Sequence, residues 1–340
     1  MGNILERSWQ EIWNGKEARA LRESSLDGSL RHCSSGWCPW LQSADQGFPN
    51  SHVTRHENLH ELKEAVTINA VKTGSTEVVV LPKTVNLIYD RSCNLRCPSC
   101  RDDILKLSKE ENEILRKIHE VVASDVVRSA ETLTMGGTGD PIASPVLRDL
   151  LIKLRIEDYP NLKTIGLQTN AQLLNSKLWA QMEGVQKVEN FCVEVSIDAA
   201  SSGVYDLVRP PGKWSVLMEN LHFIKSLPNL GMLIISFVVQ ENNYHEMEEF
   251  INLGKYLAKT GKRVPVKVMF YQIRSWGQFT EDGYLSKQVQ NTSHPLHKKF
   301  LPHLHEVEIL RIQHVKDHPY FMIEHNFPPE LMENYTGVLS

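Results

Sequence analysis

From Thr84 onward, short apolar runs rich in β-branched residues alternate with longer segments in which apolar residues recur every three or four positions. The runs predict strands at Thr84–Tyr89, Thr132–Met135, Thr164–Gln168, Phe191–Ile197, Met232–Val239 and Val264–Phe270, because short apolar stretches bounded by turn residues fit strands covered on both faces. Between them, Trp214, Leu217, Leu221 and Ile224 share one helical face, and Met247, Phe250, Ile251 and Leu257 share another. Six strand-then-helix units in succession predict a parallel sheet, since a parallel neighbour needs a crossover. Such a sheet curls into a full or partial barrel with its chemistry where the strands end. The predicted class is therefore α/β, a partial (β/α)6 TIM-like barrel.

The first part of the chain does not follow this pattern. Leu5, Trp9, Ile12 and Trp13 fall on one face of a predicted helix, Asn14-Gly15 breaks it, and Leu26-Asp27-Gly28 makes a turn ahead of Cys33. Residues 43–58 are polar, carry Gly and Pro, and have no period. The expected organisation is an N-terminal segment over 1–42, a linker over 43–80, a core domain over 81–276 and a C-terminal extension over 277–340.

Composition narrows the partners. The chain has 340 residues, with 37 basic and 41 acidic side chains and a net charge of −4, and no block of like charge. An electrostatic footprint for nucleic acid is lacking, so none is expected. No stretch approaches the ~20 apolar residues of a membrane helix, and the start, MGNILERSWQEIW, has neither a basic nor an apolar signal region. A cytoplasmic protein without membrane contact is expected.

Cysteine placement points to chemistry. Of six cysteines, Cys93, Cys97 and Cys100 lie within eight residues, Cys33 and Cys38 are five apart, and Cys192 stands alone in an apolar run, where a small buried thiol is expected. This is not a secreted disulfide framework, which is denser and more evenly spread. The triplet, spaced C-x3-C-x2-C, follows the first strand. It suits three corners of an iron–sulfur cubane with one iron left free of protein ligands, or a zinc knuckle completed by Cys192 or a histidine.

The stretch Tyr89-Asp90-Arg91-Ser92-Cys93-Asn94-Leu95-Arg96-Cys97-Pro98-Ser99-Cys100-Arg101 closely resembles the cluster loop of the radical SAM superfamily, including its Asn-Leu and Cys-Pro pairs. Elements at later strand ends resemble the family in the same order. Gly136-Gly137-Thr138-Gly139-Asp140-Pro141 is similar to the glycine-rich element that meets the methionyl amino group, with Asp140 as charge partner for the ammonium. Gln168-Thr169-Asn170 stands where the family often has Thr-Asn-Gly, with Ala171 in place of the glycine. Ser196-Ile197-Asp198 resembles the segment contacting the ribose and methionine end, and Arg209 sits where relatives direct an arginine to the cosubstrate carboxylate, which its fork suits. Phe237-Val238-Val239-Gln240, with Asn242 and Asn243, resembles the fifth strand and its exit.

The resemblance implies a radical SAM fold and an oxidoreductase-type enzyme. It implies a [4Fe-4S] cluster on Cys93, Cys97 and Cys100, and S-adenosyl-L-methionine bound near Gly136, Gly137, Thr138, Asp140, Asn170, Ser196, Asp198 and Arg209. It further implies an external electron donor such as a flavodoxin or ferredoxin, and hydrogen abstraction from a peptide or small-molecule substrate. Gly2-Asn3-Ile4, Ile12-Trp13-Asn14-Gly15, Leu21-Arg22, Cys33 and Cys38-Pro39 resemble the latter part of a SPASM module, a partial version placed ahead of the barrel. That makes Cys33 and Cys38 candidates for an auxiliary iron–sulfur cluster, although they are two thiolates where four are ordinarily needed. At the substrate end, Arg274 and Trp276 fall near the expected barrel mouth, and His294, His297, His303 and His305 form no trusted metal clip. The rival expectation is a non-catalytic metal- or cluster-binding scaffold on a degenerate barrel.

Overall fold

Seven parallel strands form one sheet in strictly sequential order: β1 (Thr84–Leu87), β2 (Thr132–Met135), β3 (Thr164–Thr169), β4 (Asn190–Ser196), β5 (Leu230–Val239), β6 (Val266–Gln272) and β7 (Phe321–His325). The computed structural model describes residues 2–33, 65–78, 82–275, 278–317, 320–328 and 331–332. Each strand pairs with the next, from Thr84 opposite Thr132 through Phe270 opposite His325, with one register shift between β4 and β5 at Phe191–Cys192. Strand alternation sorts the side chains. In β3, Ile165, Leu167 and Thr169 are buried while Thr164, Gly166 and Gln168 are not; in β4, Phe191, Val193 and Val195 are buried and Cys192, Glu194 and Ser196 only partly so.

The first of these sets packs under helices. α4 (Lys109–Val121) and α5 (Pro145–Lys153) follow β1 and β2. Ser144 caps α5 by accepting from Leu147 N, and Pro145 stands in its first turn, where no N–H is needed. Two single turns, α6 (Ser176–Trp179) and α7 (Glu183–Gln186), follow β3, and α8 (Ser202–Val208) and α9 (Trp214–Ser226) follow β4. α10 (Met247–Lys259) buries Met247, Phe250, Ile251, Gly254 and Leu257. Gly254 permits close seating, since a Cβ there would lie 2.3 Å from Val268 Cγ2. Phe237, Phe250 and Phe270, all fully buried, form a ring cluster with centroids 4.9–5.8 Å apart.

The sheet does not stop at β6. After α11 (Glu281–Leu285), α12 (His297–Asp317) leads to β7. Phe300 contacts Phe327 at 5.5 Å, and Glu308 on α12 accepts from Arg311 at 2.6 Å and meets His325 on β7 at 3.0 Å. The region beyond 277 thus adds a seventh strand to the six expected.

The chain divides into two units, residues 1–82 with 120–126, and 83–119 with 127–340. In the first, the N-terminal helix ends at the expected Asn14-Gly15 break as α1 (Trp9–Trp13), which a Ser8–Glu11 capping box opens, and a second helix not expected from sequence follows, α2 (Lys16–Leu26). Leu5 lies outside both and is exposed. The Asn14 side chain bonds both ways with the Val78 backbone at 2.9 Å, and α3 (Ala65–Thr73) lies within the stretch read as linker. No helix among the described residues is long and apolar enough to cross a membrane.

Candidate active site at the strand ends

The loop after β1 is built to hold three thiols in different surroundings. Leu95, 2% exposed, anchors it, and Cys97 O accepts from Cys100 N at 2.8 Å and Arg101 N at 2.9 Å, winding the last two cysteines into one turn. Asp90, buried beneath, accepts from Ser92 N at 2.8 Å and from the Ser144 hydroxyl. Cys97 is buried, Cys93 half-buried and Cys100 exposed. Every sulfur faces an N–H donor. Arg101 reaches Cys100 Sγ at 3.4 Å, Leu95 N and Asn170 Nδ2 reach Cys93 Sγ at 3.5 and 3.9 Å, and Arg209 Nη1 reaches Cys97 Sγ at 3.7 Å. Burial pushes the Cys97 thiol up to about 11 against the downward pull of Arg209, and burial raises Cys93 as well.

The glycine-rich loop after β2 is fastened to this one. Thr138 Oγ1 donates to Ile88 O at 2.7 Å, Asp140 N to Ser92 O at 2.8 Å, and Arg101 ties Arg91 O and Thr138 O together at 2.9 Å each. Gly136 and Gly137 adopt φ of 135° and 102°, a region that side chains disfavour. At Gly139 the reason is space: a Cβ would lie 2.5 Å from Ser92 O and 2.8 Å from Asp90 O. Asp140 has a different placement from the one expected of an ammonium partner. Its Oδ1 accepts from Ile142 N and Ala143 N at 2.9 and 3.2 Å, and its Oδ2 from Thr169 Oγ1 and Asn170 N at 2.8 Å. Those bonds occupy both oxygens of a fully buried carboxyl whose pKa burial raises, so the side chain braces two loops.

At the next strand ends, Asn170 Nδ2 donates to Asn94 Oδ1 at 2.9 Å, and Ala171, at φ 56°, keeps the left-handed turn despite lacking the glycine. Ser196 Oγ lies 3.4 Å from Ser236 Oγ. Asp198, at φ 59°, accepts from Val238 N at 2.7 Å and pairs with Arg209 at 2.6 Å.

A cavity of about 1080 Å³ opens beside the cysteine loop, and Cys100, Gly136, Gly137 and Thr138 line it. Cys93, Cys97, Asp140, Asn170, Ser196, Asp198 and Arg209 do not line that space. The inner wall is Thr134, Gln168, Cys192, Glu194 and Ile234, with Arg91, Arg101, Asp102 and Asp103 also lining it. Burial raises the Glu194 carboxyl, which accepts from Gln168 Nε2 at 3.3 Å. Sequence reading missed these residues. Cys192 was expected to be core, yet alternation buries Phe191 and Val193 and turns the thiol to the cavity. The signals were the polar member of each strand alternation and the arginine directly after Cys100.

Among the described residues no three His, Cys, Asp or Glu side chains converge on a single ion. Three thiols on one loop, each facing an N–H donor, suit an anionic iron–sulfur cluster. The C-terminal histidines engage separate partners: Ser286 O for His294, Val289 O for His297, Glu248 for His303 and Leu331 O for His305. Cys33 is exposed after α2; Cys38 and Trp276 lie outside the described residues.

A family model described as "Radical SAM superfamily" matches residues 87–254 and does not extend to the N-terminal segment. The GTP 3',8-cyclase of Petrotoga mobilis (strain DSM 10674 / SJ95) is 27% identical over 169 residues, 49% of this chain and 50% of that protein. The chain thus spans about half the length of the curated relative it matches. Among solved structures, Streptococcus suis SuiB bound to S-adenosylmethionine covers 86% of this chain and 61% of its own at 13% identity, TM-score 0.48. SuiB bound to its precursor peptide SuiA covers 83% and 60% at 13% identity, TM-score 0.47.

Proposed function

The chain carries a radical SAM domain over residues 87–254, and from that premise we propose an enzyme that reductively cleaves S-adenosyl-L-methionine and abstracts hydrogen from a substrate at the cavity beside the cysteine loop. The carrying observation is that Cys93, Cys97 and Cys100 stand on one loop at the end of β1, each sulfur facing an N–H donor and the whole loop stapled to Gly136–Asp140. Cys93, Cys97 and Cys100 would hold a [4Fe-4S] cluster there, which, reduced by an external donor, would supply the electron for reductive cleavage of S-adenosylmethionine.

In this reading the three thiolates are the cluster ligands. Gly136 and Gly137 keep the end of β2 free of side chains, so a cosubstrate approaches backbone directly. Thr138, Asn170, Ser196, Asp198 and Arg209 border the cosubstrate region, and Asp140 contributes by holding the β2 and β3 exits in register. Cys100 is the exposed member of the triplet, which favours that side for a flavodoxin or ferredoxin donor. The cavity's volume and its mainly apolar wall with a few polar groups suit one side chain of a peptide, or a small metabolite. We favour a peptide, on the resemblance of residues 1–42 to part of a SPASM module, and a reducing cytoplasmic setting, in which the thiolates stay available.

The test is anaerobic reconstitution followed by iron and sulfide analysis and low-temperature electron paramagnetic resonance. The wild-type chain is expected to hold about four irons, as one cubane requires, with a reduced-state signal that changes on adding S-adenosylmethionine. Replacing Cys93, Cys97 and Cys100 by alanine removes both iron and signal. Iron and signal retained in that variant would move the cluster to other ligands and end the proposal.

A further inference from the structure

Arg209 is expected, from family resemblance, to face the cosubstrate, yet its surroundings direct it elsewhere. The side chain is only 12% exposed and lies 2.6 Å from Asp198, which is 1% exposed. Asp198 is fixed in turn: Oδ1 accepts from Val238 N at 2.7 Å, and its carbonyl accepts from Asn243 Nδ2 at 2.9 Å. The guanidinium is thereby clamped across the ends of β4 and β5, and its Nη1 faces Cys97 Sγ at 3.7 Å. The next residue continues the contact, because Pro210 O accepts from Arg96 N at 2.8 Å and so docks the cysteine loop against the same turn. The other ionisable side chain against this group is the phenol of Tyr205, itself donated to by Gln172. Cys97 is the buried thiol of the three, so its thiolate depends on nearby charge where water cannot help.

We infer that Arg209 and Asp198 form a charge device that sets how readily the cluster on Cys97 accepts an electron, with Arg209 as a positioning residue for that thiolate. The inference rests on the proposed cluster ligands. The physical step is direct. One-electron reduction adds a negative charge to the cluster, a buried cation next to a ligating sulfur favours the more negative state, and a buried anion behind it opposes that state. As a pair the two are nearly neutral, so removing either one unmasks the other.

The two single variants must therefore act with opposite sign. Electron paramagnetic resonance-monitored redox titration of reconstituted protein, without S-adenosylmethionine, is expected to show R209Q lowering the equilibrium constant for one-electron reduction at least tenfold, a shift of 59 mV for one electron. D198N is expected to raise it, and the double variant to return towards wild type. R209K keeps the charge without the fork and falls between wild type and R209Q. If R209Q does not take up the cluster, R209K and D198N still give the two signs. Shifts of the same sign in R209Q and D198N, or none in either, overturn the inference. So does an unchanged potential in R209Q with weakened S-adenosylmethionine binding, which would make Arg209 a carboxylate clamp only. Failure of the wild-type protein to give any reduced-cluster signal would instead refute the proposed cluster site.

Discussion

Gly139 lies where the glycine-rich loop packs on the backbone of the cysteine loop, and substituting alanine there puts a number on how tightly the two are joined. The new Cβ would meet Ser92 O at 2.5 Å, Arg91 C at 2.7 Å and Asp90 O at 2.8 Å. All three are backbone atoms, so nothing can swing aside. Ordinary contact begins near 3.4 Å, so the loops must part by roughly 0.9 Å in a region packed at crystal-like density. That separation breaks the 2.8 Å bond from Asp140 N to Ser92 O. Overpacking costs about 1–3 kcal/mol and a lost buried hydrogen bond about 1–3 kcal/mol, so Gly139→Ala should destabilise the unit by roughly 2–6 kcal/mol. At roughly 2 °C per kcal/mol for a unit of this size, Tm falls by about 4–12 °C. The cluster-binding loop is displaced by the same strain, so iron uptake on reconstitution falls too. The assay is circular dichroism melting of the apo chain beside iron counting after anaerobic loading. Gly203→Ala is the control: nothing lies within 4 Å of its Cβ, and a helical alanine there should be neutral or up to about 1 kcal/mol stabilising. Melting and iron loading of Gly139→Ala indistinguishable from Gly203→Ala would refute the claim that the two loops act as one piece.

Three further outcomes follow from the packing and charges. Phe250→Ala empties the centre of the Phe237–Phe250–Phe270 cluster and should cost about 3–5 kcal/mol by denaturant titration. Glu308, though burial works against it, is held at about 2 by Arg311 and His325. A depressed carboxylate contributes stability that is full above its unfolded pKa near 4.5 and lost as pH falls towards 2, on the order of 1–3 kcal/mol. Urea titration of the apo chain at pH 5 and pH 3 should therefore show a decline that Glu308→Gln reduces; equal declines in both would remove Glu308 as the cause. Asp140→Asn keeps the shape but replaces one acceptor oxygen by an amide facing two donors, so it should lower apo-chain stability by about 1–3 kcal/mol, visible in the same titration.

Much of the barrel was legible because its strands are covered on both faces and read as apolar runs; β2, predicted at Thr132–Met135, is found there. β7 escaped because FMIEH has only two buried alternating side chains, Phe321 and Ile323, too short a pattern to separate from loop. The cysteine loop was legible from local spacing. The cavity wall was not, since Thr134, Gln168, Cys192 and Glu194 come from three strands and converge only once the sheet curls. The bonding of Asp140 was hidden for a related reason: sequence places a carboxylate beside glycines, but only the fold reveals that its oxygens accept from Ile142, Ala143, Thr169 and Asn170. The contact of Arg209 with Cys97 spans 112 residues and left no local trace in the sequence.

The central claim is that this triplet of thiols supports cleavage of S-adenosylmethionine. Its most direct test is to reconstitute the chain anaerobically to a full cluster, add dithionite and S-adenosylmethionine, and quantify 5'-deoxyadenosine by chromatography. 5'-Deoxyadenosine is expected from the wild-type protein and none from the variant with Cys93, Cys97 and Cys100 replaced by alanine. A fully loaded wild-type cluster that yields no 5'-deoxyadenosine, with candidate peptides present or absent, would contradict it.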